Sequence, residues 1–267
     1  MASKINTIEE STSGDSIIIP SAFHQPTLFP IEIVETYPSD QQSADLQSIG
    51  KGRDGRHYAI KTTSDNNGFV PASEFFCYQL ARLVSIPTPP FENLKLACGS
   101  IAFGSVWEGG VTSVSTNMDV LNILSGKTPV QDLPIFLSKV YAFDLFVNNE
   151  DRHFGNYIFR DSFKSKIVLA FDFSRAWKET NPFGFECLDK RSNTTICNQY
   201  IRANKCYDKD VAKALLEEIS KIPTESIESI LDLMHDTWMS KEDKDTIVNW
   251  WNSTEFHLRI EKLMGVI

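Results

Sequence analysis

Apolar and polar residues alternate over positions 31–36 (Ile-Glu-Ile-Val-Glu-Thr), and that period of two predicts a strand with one buried face. Two more strand patterns, at 46–50 and 58–61, flank Arg53-Asp54-Gly55. Asp-Gly between apolar runs signals a hairpin turn. The period then lengthens. Positions 76, 80, 83 and 84 carry apolar side chains at helical spacing, so 73–84 is expected to be a helix, bracketed by Pro71 and Pro87. Strand patterns return at 94–97 and 101–108, and this β-rich stretch of five strands and one helix ends at Gly109 and Gly110. Beyond it the helical pattern dominates, at 120–124, 134–147, 209–219, 225–237, 241–251 and 255–263. Residues 177–206 show no clear period. The first 22 residues are rich in Ser, Glu, Thr and Asp, have little to bury, and are expected to form a flexible tail. The expected organisation is a tail at 1–22, a β-rich part at 23–109 and a helical part at 110–267.

The 267 residues suffice for one large domain or two lobes sharing a cleft. With 42% hydrophobic and 23% charged residues, the composition is that of an ordinary soluble globular protein. The net charge of −9 argues against general nucleic-acid binding and against an anionic membrane surface as a resting partner. No apolar run reaches about 18 residues, so no membrane span is expected, and the N-terminus lacks a signal pattern. Five cysteines (Cys77, Cys98, Cys187, Cys197, Cys206) stand at irregular spacings without a C-x-x-C pair. They read as free thiols in a reducing cytoplasm, with no zinc site.

The chemistry concentrates at Asp151-Arg152-His153-Phe154-Gly155-Asn156 and at Asp172-Phe173-Ser174. An acid stands five residues before an amide, and a second acid follows one short hairpin later, after strand-like runs at 157–159 and 167–171. Phosphoryl transfer from ATP needs this set: one carboxylate to orient the attacking hydroxyl, and an amide oxygen with a second carboxylate to hold magnesium at the phosphates. Asp, Asn and Gly together also make common turns. What raises the motif above a turn is the apolar run at 136–147, which would deliver the loop from a buried helix.

The loop resembles the D-R-H-x-x-N signature of the HipA-like kinases and, more distantly, of the phosphoinositide lipid kinases. Two further stretches favour the HipA side. Residues 72–87 (Ala-Ser-Glu-Phe-Phe-Cys-Tyr-Gln-Leu-Ala-Arg-Leu-Val-Ser-Ile-Pro) are similar to that family's N-E-x-x-C-x-x-L-A-x-x-x-G helix, with Ser73 for Asn and Ser85 for Gly. Residues 53–61 are similar to its D-G-R-x-Y-x-x-K hairpin. The resemblance runs from about residue 30 to the C-terminal helices and is strongest to short members without the extra N-terminal domain. It implies an α+β, two-lobed protein-kinase-like fold, with a small antiparallel β lobe and a larger helical lobe. It also implies ATP and magnesium as cofactors, and a Ser/Thr protein substrate, the chain itself among the candidates.

Within that frame Asp151 is expected to orient the hydroxyl, Asn156 and Asp172 to hold magnesium, and Lys61, in Tyr-Ala-Ile-Lys, to bind phosphate with Glu74 as its brace. His153 either bonds nearby backbone or contacts the transferring group, and Arg152 either does the same or pairs with an acid in the loop. Gly50, Gly52 and Gly55 match G-x-G-x-x-G, but Gly55 is six residues from Lys61, room for one strand and no turn. The phosphate-covering loop is therefore expected one turn earlier, at Ser39 to Ser43, and the adenine hinge at Trp107 and Glu108, Trp107 being equally suited to the core. Ser174 stands where ordinary kinases have glycine, which implies a loop that does not flip. Two rival functions remain: a small-molecule or lipid kinase, and a nucleotide-binding pseudokinase used as an interaction module.

Overall fold

The computed structural model describes residues 27, 29–38, 48–107, 111, 114, 116–180 and 189–267. The expected tail, the 109–110 crossing, Ser39, Ser43 and Glu108 lie outside them. Strands β1 (Ile31–Pro38), β2 (Ser48–Gly52), β3 (His57–Lys61), β4 (Phe91–Lys95) and β5 (Ile101–Val106) close into a barrel in the order β1-β2-β3-β5-β4. The antiparallel sheet expected from sequence is modified in one place, because β1 and β4 pair in parallel. Topology requires it: a closed ring of five strands cannot alternate direction all the way round, so one neighbouring pair must run the same way.

The barrel is narrow, and Ile33, Tyr58, Ile60, Leu94 and Ala102 fill it. The two suspect glycines belong to this packing. A Cβ at Gly50 would lie 2.6 Å from Ile60 and 2.9 Å from Ile33, and one at Gly52 would lie 2.5 Å from the Asp54 carboxylate and 2.9 Å from Ile31. Gly55, at φ +83, forms the turn into β3. The three glycines thus build a strand and its hairpin, and strand closeness explains the spacing that mimics a phosphate loop.

Helix α1 (Val70–Leu83) connects the barrel to the rest. Pro71 lies inside its first turn rather than ahead of it, where a missing N–H does no harm. Every residue from Val70 to Ala81 is buried, as expected for a helix with no polar face. Its aromatic rings meet both halves of the molecule: Phe75 packs edge-on to Phe91 of β4, while Phe76 stacks on Trp177 at 3.8 Å and Tyr78 meets Phe173. One continuous hydrophobic core therefore runs from β4 and β5 through α1 into the helices.

Those helices are α2 (Asn117–Leu124), α3 (Leu133–Phe146), α4 (Asn193–Ala203), α5 (Lys209–Ser220), α6 (Thr224–Leu233), α7 (Lys241–Trp251) and α8 (Thr254–Val266). The expected helix at 225–237 stops at Leu233, and α4 occupies a stretch whose pattern predicted none. Strands β6 (Tyr157–Ser162) and β7 (Ser165–Ala170) form a hairpin between α3 and α4. Trp238, Trp250 and Trp251 are core residues, and the Trp238 indole donates to the Ile101 carbonyl at 3.0 Å. No helix among the described residues is long and apolar enough to cross a membrane.

Candidate active site

The Asp151 loop leaves the end of α3, which is held from behind. Arg259 of α8, 3% exposed, donates to the Phe146 carbonyl at 2.8 Å and to Asn148 Oδ1 at 3.0 Å, satisfying carbonyls that a helix end leaves unpaired. Asn148, at φ +53, then turns the chain out of the helix.

Arg152 anchors the loop from within. It is 2% exposed, and its guanidinium forms a two-pronged pair with Asp144 of α3, at 2.9 and 3.0 Å. A third nitrogen donates to the carbonyls of Asn156 and Phe171. Arg152 therefore pairs with an acid on the preceding helix, not in the loop. Burial pushes the Asp144 carboxyl above its ordinary value, and Arg152 and Asn149 offset that rise only in part. His153 is exposed, and its Nδ1 accepts the Gly155 N–H at 3.1 Å, capping the short turn at Phe154–Asn156.

That turn fixes Asn156. Its Nδ2 donates to the Asp151 carbonyl at 3.0 Å, so Oδ1 is the atom left to be offered elsewhere. The β6–β7 register sets Tyr157 opposite Ala170, and the Phe171 N–H meets the Asn156 carbonyl at 3.2 Å. The hairpin thereby brings Asp172 beside Asn156 although sixteen positions separate them in sequence.

Lys61, Glu74 and Asp172 meet at one hydroxyl. Ser174 Oγ accepts from Lys61 Nζ at 2.7 Å and lies 3.0 Å from Glu74 Oε1 and 2.5 Å from Asp172 Oδ1. Lys61 and Glu74 come together through this residue, which stands where ordinary kinases have glycine. Burial would raise the Asp172 carboxyl, but the Lys61 charge and the Ser174 hydrogen bonds outweigh it and hold the group at about 2. Glu74 goes the other way. Burial pushes it up to about 7, the Asp172 charge adds to the rise, and Lys61 and Ser174 oppose it only in part. Among the described residues its Oε2 has no partner. One hydroxyl proton cannot serve two carboxylates. A proton on Glu74 resolves the conflict, since Glu74 then donates to Ser174 and Ser174 to Asp172.

This arrangement has a measurable signature. Between pH 4.5, the ordinary value, and about 7, the folded chain keeps a proton on Glu74 that the unfolded chain releases. Stability therefore falls as pH rises through that window, by on the order of 3 kcal/mol from this group. Denaturant titrations across the window should show that slope in the wild type and lose it in Glu74→Gln. An identical slope in both would place the titration elsewhere.

Asp151 is partly exposed. Its Oδ2 faces Arg175 Nε at 3.7 Å, and its Oδ1 accepts from Asn193 Nδ2 at the start of α4. The next residue, Thr194, is 1% exposed, donates to the Asn149 carbonyl and accepts the Arg152 N–H at 2.9 Å. Helix α4 thus clamps the Asp151 loop from the far side. Its signal in the sequence was Ser192, whose side chain caps the Thr195 N–H, followed by Ile196, Cys197, Tyr200 and Ile201 at helical spacing. Trp107 is half-buried, and its N–H already donates to the His57 carbonyl at 2.7 Å as an extension of the β3–β5 ladder.

Comparison with known proteins now decides the family. The family model described as HipA-like kinase matches residues 33–260. The chain belongs to the HipA-like kinases. Among solved structures, the Helicobacter pylori proinflammatory kinase CtkA aligns with a TM-score of 0.58 at 12% identity, covering 89% of this chain and 99% of that one. HipA of Shewanella oneidensis, solved with HipB and operator DNA, aligns at 0.49 and 12% identity over 90% of this chain and 68% of its own. A Golgi casein kinase with Mn and ADP bound aligns at 0.42 and 13% identity over 91% and 73%. The first of these shows the kinase fold; the other two are looser likenesses. No curated protein matches.

Proposed function

We propose that this HipA-like kinase transfers the terminal phosphoryl group of ATP, with magnesium, to a serine or threonine hydroxyl of a protein, its own serines included. What supports the reading is a convergence: residues 61, 74, 172 and 174, up to 113 positions apart, meet at one buried hydroxyl. Beside it stands a loop whose acid is Asp151. The proposed division into a β lobe at 23–109 and a helical lobe at 110–267 sets this cluster where the two meet.

Asp151 would orient the hydroxyl and accept its proton as the new O–P bond forms and the bond to departing ADP breaks. Lys61 would hold a phosphate oxygen. Ser39, Ser43, Trp107 and Glu108 are the proposed nucleotide contacts on sequence grounds, with the Trp107 carbonyl rather than its engaged N–H as the hinge atom. His153 would steady the loop through Gly155.

The donor set suits magnesium. Among the described residues the hydrogen bonds of Asp172 all fall on Oδ1 and Oδ2 meets no donor, and the Asn156 amide presents Oδ1. Among the described residues no three His, Cys, Asp or Glu side chains cluster as a metal site. Magnesium needs no such cage: it binds one or two protein oxygens and completes its shell with phosphate and water. When bound it would neutralise the charge that develops on the phosphate.

The deciding experiment is mass spectrometry after incubation with ATP and magnesium, on this chain and on added proteins. Phosphate on serine or threonine is the expected result. ATP consumed without any phosphoprotein would favour a small-molecule acceptor, and ATP bound without turnover would favour a binding module. In calorimetry, ATP affinity should fall when magnesium is chelated and fall again in Asp172→Ala; equal affinities would remove Asp172 from the metal.

A further inference from the structure

The third residue of Asp172-Phe173-Ser174 has a hydroxyl where glycine would leave open space, and it is 1% exposed. Its neighbours explain what that hydroxyl does. Lys61 is 4% exposed, and among its contacts to the described residues Ser174 Oγ at 2.7 Å is nearer than Asp172 at 3.4 Å. Glu74 Oε1 lies 3.0 Å from the Ser174 hydroxyl, and among the described residues Oε2 has no partner. Asp172 Oδ1 receives both the Ser174 hydroxyl and, at 3.3 Å, the Ser174 N–H. Those bonds hold the carboxylate against a backbone at φ +61.

We propose that Ser174 is a positioning residue: its hydroxyl ties Lys61 and Glu74 to Asp172 and aims the remaining carboxylate oxygen at the metal. The consequence for the metal rests on the function proposed above; the tether itself does not. A glycine or alanine at 174 would take from the buried Lys61 ammonium an acceptor at 2.7 Å and from Asp172 Oδ1 the hydroxyl that donates to it. Nothing else among the described residues bridges these three side chains. Groups one step removed from a metal typically change metal affinity or activity 10–100-fold when removed.

The test uses the full chain with Ser174→Ala, with Ser174→Cys as a variant of nearly wild-type volume and weak hydrogen bonding, and with Ser174→Thr as the variant that keeps the hydroxyl. Acetylation of Lys61 without nucleotide, read by mass spectrometry, should be about tenfold faster in the Ala and Cys variants, the loss of one hydrogen bond to a charged group. It should be near wild type in Thr. The magnesium concentration needed for ADP binding should rise about 10–100-fold in Ala and Cys and recover in Thr. Unchanged Lys61 labelling in Ala and Cys overturns the tether. Faster labelling with an unchanged magnesium requirement overturns the positioning of Asp172. If the wild type binds no nucleotide at all, the kinase reading fails, and the labelling rates still decide the tether.

Discussion

Asp151→Asn should fold, bind magnesium-ATP with wild-type affinity, and lose about 10²–10⁴-fold in phosphoryl transfer, the range a positioned base contributes. The substitution is nearly isosteric, and the loop does not depend on the carboxylate. Its shape comes from the Arg152–Asp144 pair, from Thr194 and from the backbone carbonyl of Asp151, which Asn156 uses. What changes is the acceptor. An amide cannot take the hydroxyl proton, and its contacts to Arg175 and Asn193 lose their charge. Melting temperature, ATP affinity and turnover belong on one preparation. Surviving turnover would remove Asp151 from the orienting role, and lost ATP affinity would mean the loop had moved.

Arg152→Ala should be the most destabilising change in the loop. Arg152 and Asp144 are 2% and 0% exposed. Removing one partner of a buried pair leaves an uncompensated charge, at a cost of about 3–5 kcal/mol. That is a large share of the roughly 5–15 kcal/mol that holds a domain folded. Arg152→Lys should not restore it. One ammonium cannot reach both Asp144 oxygens and the carbonyls of Asn156 and Phe171 as the planar fork does. Denaturant midpoints measure both variants. A loss under about 1 kcal/mol for Ala would mean the pair is not what holds the loop. The apolar double change Asp144→Leu with Arg152→Met should recover much of the loss, because it removes both charges together.

The strands and most helices could be read from period alone, because most of them, α1 apart, bury one regular apolar stripe. The Asp151 loop was legible because its residues are consecutive and follow a helix whose apolar run announces burial. Helix α4 was not. Its buried face is Thr194, Cys197, Asn198 and Ile201, half of it polar, since it packs on a loop through hydrogen bonds as much as on a core. Arg152 was read as a loop group because its partner sits eight positions back on α3, on a helix face judged only for its hydrophobicity. Ser174 was visible as a missing glycine, but its work was not. The bonds that define it span 100 and 113 positions, and no local pattern carries such a contact.

The burial of α1 bears on motion. Twelve consecutive buried residues, Val70 to Ala81, leave that helix no solvent face to turn toward and no polar side to slide on. Swinging it outward would break the Phe76–Trp177 stack and strip Phe75 and Tyr78 from their partners in both halves of the molecule. At about 1.5–3 kcal/mol for each large apolar side chain exposed, three such residues approach the stability of a whole domain. The amides of α1 therefore exchange with solvent only when the entire fold opens. Glu74 is thus carried on a helix that keeps its place for as long as the fold itself does.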